Sequence, residues 1–203
     1  QAASLARAEP PANATIADLA LGTELVTTAA RLLQAQSMFE LRAADLNVRG
    51  TGNQRTDTIY DRMHGFGAEA VGQIGEALSA WSNGASSFVV ENSIDHMRHS
   101  AGVLQAGTMV LSMAHAYQQI RKAWDQQMKE RMESINSWWS YTVVAPSSWR
   151  GLGNTFQSYF DVNQGLNQMS PDLTRATGYL ERGDFNSFAE FSASNRWGDL
   201  QFI

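Results

Sequence analysis

From Ile16 onward the apolar positions keep helical spacing through most of the chain. Leu25, Leu32, Phe39 and Leu46 recur every seven residues with Leu21, Val26 and Leu33 beside them, which predicts an amphipathic helix from about Ile16 to Val48. Asn13 or Thr15 can cap its start, because a side-chain oxygen there meets unpaired amides of the first turn. Gly50, Gly52 and Asn53 interrupt the pattern, and Thr56 or Asp57 offers the next cap. A second helix is predicted from about Thr58 to Trp81. Along it Tyr60, Met63, Gly67, Ala70, Ile74, Ala77 and Trp81 alternate steps of three and four. The centre of that stripe is small, so it predicts a helix-packing seam that a neighbouring backbone approaches closely, with Tyr60 and Trp81 closing the two ends. Ser82, Asn83 and Gly84 end the helix.

Ala85 to Val90 reads as a short extended piece or as the lead-in to a third helix, and the lead-in is the expectation here. From Asn92 to about Trp139 one helix side carries Val103, Val110, Ala114, Tyr117, Trp124, Met128, Ile135 and Trp138. Unbroken, such a helix reaches on the order of 70 Å, and Gly102 and Gly107 are its candidate kinks. After Tyr141 the chain is punctuated by Pro146, Gly151, Gly153, Gly165, Pro171, Gly178, Gly183 and Gly198. That punctuation predicts short helices, one starting at Ser170–Pro171 and another after Asp184 that buries Phe185, Phe188 and Phe191.

The fold expected is therefore all-α. An irregular lead-in over residues 1–14 precedes an elongated bundle of long helices over 15–141, followed by an aromatic-rich tail of short helices over 142–203. Trp149, Phe156, Tyr159, Phe160, Trp197 and Phe202 make that tail either a satellite core or a docking surface for another subunit.

Composition removes several classes of function. Hydrophobic residues make up 43% and charged residues 17%, too apolar a balance for a disordered chain. Twenty acids against 15 bases give a net charge of −5, and Lys122 and Lys129 are the only lysines, so no sequence-specific nucleic-acid partner is expected. With no cysteine there is no disulfide, thiolate nucleophile or iron–sulfur ligand. Ser100 to Ile120 is the stretch closest to a membrane segment, rich in Gly, Ala, Met, Val and Leu but broken by Gln105, Gln118 and Gln119. It reads as a buried bundle helix, or as a segment entering a membrane within an oligomer. In the second case Val103, Leu104, Val110, Leu111 and Ala114 face the membrane or a channel.

Few residues group as chemistry requires. Glu91, Asp95 and His99 share a helical face with His96 nearby, but a metal centre needs a further ligand, so the group reads as a solvated face. Asp57, Asp61 and His64 form a polar flank near a helix start, without the pocket that acid–base catalysis requires. Gly151-Leu152-Gly153 lacks the third glycine and the preceding strand of a dinucleotide loop, leaving a turn anchored by Trp149. Arg121, Lys122, Lys129 and Arg131 interleave with Asp125, Glu130 and Glu133, the signature of a solvated helix with local ion pairs. Neither an enzyme nor a cofactor is implied.

Leu41-Arg42-Ala43-Ala44-Asp45-Leu46, a glycine-rich break, Ile74-Gly75-Glu76-Ala77-Leu78-Ser79-Ala80, the small-residue turn Ser82-Asn83-Gly84-Ala85-Ser86-Ser87 and the helix opening Ser93-Ile94-Asp95-His96-Met97 follow in order. Over about residues 34–124 this pattern resembles the internal virion proteins of short-tailed phages, which are released with the genome. The resemblance implies a non-enzymatic, oligomeric, all-helical component, internal to the particle or tail-associated, that helps form a conduit for genome ejection. Its implied partners are copies of itself and other virion subunits, with transient membrane contact. A second resemblance is to exported minor pilus-tip or adhesin-like components of type IV secretion systems, for which Gln1 would follow signal cleavage and the location would be periplasmic or extracellular. A third reading, a metal-dependent helical enzyme, would use Glu91, Asp95 and His99.

Overall fold

The computed structural model describes residues 8–48, 52–139 and 146–194, with side chains except at 132, 134–139 and 146–162. Five helices account for nearly all of it: α1 (Ile16–Asp45), α2 (Gln54–Ser82), α3 (Ser87–Trp139), α4 (Pro146–Glu181) and α5 (Phe185–Ser194). The protein is all-α, a bundle of long helices with a helical C-terminal region. No strand occurs among the described residues.

Local chemistry sets the helix boundaries. Thr15 caps α1 in a reciprocal box: Asp18 N–H donates to Thr15 Oγ1 at 3.2 Å, and Thr15 N–H donates to the Asp18 carboxylate at 2.8 Å. Asn53, expected in the break, is instead the cap of α2, since its Oδ1 accepts from the amides of Arg55 and Thr56 at 2.8 and 3.4 Å. The helix therefore starts at Gln54, and Thr56, a proposed cap, is buried inside its first turn. Gly84 closes the other end with φ +78, and Ala85 N–H reaches back to Ala80 O at 3.0 Å. Phe88, Val89 and Val90 already belong to α3, as the lead-in reading had it.

The links α1–α2 and α2–α3 are short, so consecutive helices are antiparallel and α1 and α3 run the same way. Leu25, Leu32 and Phe39 of α1, Ile59, Met63 and Ile74 of α2, and Ile94, Met97, Val103, Leu104, Val110 and Leu111 of α3 fill the space between them. At about 1.5 Å per residue, the 53 residues of α3 span about 80 Å. Gly102 and Gly107 sit in continuous helix.

The C-terminal region differs from expectation at one point. Ser170–Pro171 is not a helix start: Pro171 lies inside α4, which begins at Pro146. Leu166, Met169, Leu173, Ala176 and Leu180 alternate steps of three and four straight through it and are all buried, so packing holds the helix together. Pro171 removes an amide from the turn, but both it and Asn167, whose carbonyl loses that partner, are on the exposed side where water can serve it. Phe188 of α5 is fully buried, and Phe185 packs on Phe66 of α2 with ring centroids 4.3 Å apart.

Candidate functional site

All seven seam residues, Tyr60, Met63, Gly67, Ala70, Ile74, Ala77 and Trp81, are buried, and their neighbours are helices of the same chain. A Cβ at Gly67 would stand 3.0 Å from Leu104 Cδ2 of α3 and 2.6 Å from Gln36 Cδ of α1. Met63 Cγ would be 3.0 Å from a Cβ at Gly107. The close neighbours that the small residues of the seam admit are thus α1 and α3 of the same chain, which the short turns bring onto it. Val103, Leu104, Val110, Leu111 and Ala114, membrane- or channel-facing in one of the two readings of this stretch, are core residues, which corrects that reading. They are at most 2% exposed, so in this packing they face the core and neither a membrane nor a channel. Among the described residues no helix is long and apolar enough to cross a membrane. The side chains of Trp149, Phe156, Tyr159 and Phe160, and the whole of Trp197 and Phe202, lie outside the described residues.

The polar groups singled out from sequence separate. Glu91, Asp95, His96 and His99 are exposed on α3. Arg98 engages both Asp95, at 2.9 Å, and Glu24 of α1, so that face clips two helices together. Among the described residues no three His, Asp or Glu side chains are grouped to hold a metal ion. Of Asp57, Asp61 and His64, His64 alone finds an ionisable partner in another helix among the described residues: its Nδ1–H donates to Glu40 Oε1 at 2.6 Å.

Glu40 was not legible as a site residue, yet it organises the α1–α2 contact. Gln36 Nε2 donates to Oε1 at 3.0 Å, and Tyr60 OH donates to Oε2 at 3.2 Å. The Tyr60 ring stacks with those of Phe39 and His64, at 6.0 and 5.5 Å between centroids. A hollow of about 250 Å³, lined by Glu40, Ala43, Asn47 and Tyr60 among others, opens beside it. The only signal in the sequence was an acid adjoining Phe39 of the buried stripe; its partners come from residues 20 and 24 positions away.

A second polar junction joins α2, α3 and α4. Arg55 donates to Thr174 Oγ1 at 3.0 Å and lies 5.8 Å from the centre of the Tyr117 ring. Further along α3, Arg121 pairs with Asp125 at 3.1 Å and Gln126 donates to Glu130 at 2.7 Å, the local pairing read from the charge pattern.

Among the described residues, large exposed apolar side chains gather in two places. Ile16 and Phe88 are 88% and 70% exposed, with Leu19 and Val89 exposed beside them in sequence. They lie at one end of the bundle, where Trp81 Nε1 donates to Asp18 O at 3.1 Å and a tight turn joins α2 to α3. Met38, Leu41 and Met109 are exposed along the side, at the level where Arg42 Nε donates to Ser112 Oγ at 2.9 Å between α1 and α3. No protein-family model, curated protein or solved structure matches the chain.

Proposed function

We propose that this chain is a non-enzymatic structural component of a phage particle, an internal or tail-associated protein that assembles with its own copies and other virion subunits to help form a conduit for genome ejection. The observation that carries the reading is exposed apolar surface: Ile16, Phe88 and Leu41 are 88%, 70% and 65% exposed, beside a core that other residues of the same helices fill. Holding such side chains in water forgoes roughly 25 cal/mol per Å² that association recovers. A stiff 53-residue helix repeated about a symmetry axis supplies a wall of fixed height. Membrane contact, in this reading, goes through the exposed apolar end or follows a rearrangement, because the apolar residues of 103–114 are committed to the core.

Two measurements test it. Sedimentation of the purified chain is expected to show a closed oligomer, whereas a monomer at every concentration tested overturns assembly. Mass spectrometry of purified phage particles is expected to find the chain. Its recovery only from a periplasmic or extracellular fraction, in particle-free cells, transfers the role to an exported secretion component.

A further inference from the structure

Opposite the buried face of α1 runs a second stripe that alternates steps of four and three: Ile16, Ala20, Thr23, Thr27, Ala30 and onward to Leu41. Every position of it is exposed and none is charged, whereas the exposed side of α2 carries Asp61, Arg62, Glu69 and Glu76, as a solvated helix does. The stripe joins the two places where large apolar side chains reach solvent, with Ile16 at the end of the bundle and Leu41 on its side. Its central hydroxyls are ready for burial. Thr23 Oγ1 donates to Leu19 O at 2.9 Å and Thr27 Oγ1 to Thr23 O at 2.8 Å, so covering them strands no donor. Small side chains there let another helix come close.

The charges beside the stripe point to a second copy of the same helix. Glu24 and Arg31 stand one heptad apart on one flank, both exposed, and the half-buried Val26 and Leu33 stand one heptad apart on the other. When a second α1 is laid antiparallel on the stripe, with a two-fold axis at the level of residues 28 and 29, Ile16 meets Leu41 of the other copy. In that register Glu24 faces the other copy's Arg31, Arg31 faces its Glu24, and Val26 faces its Leu33. A parallel pair has no such fit: it sets Glu24 against Leu19, Arg31 against Val26, and Glu40 against Asp45, a like-charge contact. Arg31 has no ion-pair partner among the described residues, and Glu24 meets Arg98 through Oε1, which leaves its second oxygen to accept.

We propose that the outward face of α1 is a homodimer interface, an antiparallel contact between two copies in which Glu24 of each engages Arg31 of the other. This interface rests on the assembly reading and gives it a surface.

Sedimentation equilibrium of the full chain at low ionic strength, with two single charge reversals, tests it. Glu24→Arg sets an arginine against Arg31, and Arg31→Glu sets a glutamate against Glu24, each at two symmetry-related places. Each variant alone is expected to dimerise about tenfold or more weakly than the parent while keeping its helical circular dichroism. Mixing the two variants is expected to restore association as a one-to-one heterodimer, because the arginines of one copy then face the glutamates of the other. Assembly of each variant as tight as the parent's overturns this face and leaves the assembly reading standing. Weakened association that mixing does not rescue overturns the antiparallel pairing, and a parent chain that is monomeric at every concentration overturns both the interface and the assembly reading.

Discussion

The indole of Trp81 lies against the backbone of Gly22, where a Cβ would stand 2.7 Å from Cη2 and closer still to other ring atoms. The ring cannot simply swing away, because its Nε1 is tied to Asp18 O one turn earlier and the residue is 7% exposed. Alanine for glycine inside a helix ordinarily gains about 1 kcal/mol, but overpacking a rigid wall costs about 1–3 kcal/mol. Gly22→Ala is therefore expected to lower the unfolding free energy, by up to about 2 kcal/mol. Urea denaturation checks this; an unchanged or higher midpoint would mean the indole gives way.

Other helical glycines predict the opposite sign. Gly72 of α2 and Gly102 of α3 are exposed and have nothing within 4 Å of an added Cβ. Only backbone entropy changes there, so Gly72→Ala and Gly102→Ala should each raise stability by about 0.5–1 kcal/mol, with an unchanged urea slope. A loss at residue 102 would show that α3 needs a glycine at that point.

This contrast marks where the sequence was readable. The three-four spacing of α2 is set by one helix alone, so its buried face could be read without knowing the neighbour. Which neighbour covers it depends on turn lengths and on Gly22 and Gly107, whose fit to Trp81 and Met63 is a property of two helices at once. Asn53 sits next to glycines that spell a break, although its side chain is what starts α2. Pro171 signals a helix start by its residue type alone, but burial of the Leu166–Leu180 stripe on either side outweighs the amide the proline removes. The polar cluster on Glu40 joins residues far apart in sequence, so no local spacing signals it.

Two helix caps make stability depend on acid. Hydrogen bonds from Thr15, side chain first and backbone second, hold the Asp18 carboxyl below its usual range. Ser187, again side chain first and then backbone, does the same for Asp184 at the start of α5, with desolvation opposing and the Arg182 charge assisting. A carboxyl whose pKa is depressed by folding contributes stability above its unfolded value, and that contribution is lost as pH falls through the folded value. The melting temperature should thus fall from about pH 4 downward, and Asp18→Asn together with Asp184→Asn should flatten that part of the profile. A double variant with the same acid limb as the parent would place its origin in other carboxylates.

Assembly can be separated from folding because the exposed apolar residues are not those that hold the core. Phe88 is 70% exposed and Ile16 88%, whereas Leu25 and Ile94, deeper in the same two helices, are at most 2% exposed. Phe88→Asp adds a carboxylate to the first turn of α3, where the helix dipole favours a negative charge, so the folded monomer should be neutral to the change or gain a few tenths of a kcal/mol. In an apolar interface the same carboxylate is desolvated without a partner and costs several kcal/mol per contact. Phe88→Asp combined with Ile16→Asp is therefore expected to give a monomer by light scattering with an undiminished melting temperature at low concentration. Gly67→Leu, by contrast, should lower stability by about 1–3 kcal/mol, because its new side chain meets Gln36 and Leu104 within one chain. If Gly67→Leu dissociates a stable oligomer and the two aspartates leave it intact, the interface runs through the seam of α2 and the apolar end is surface only.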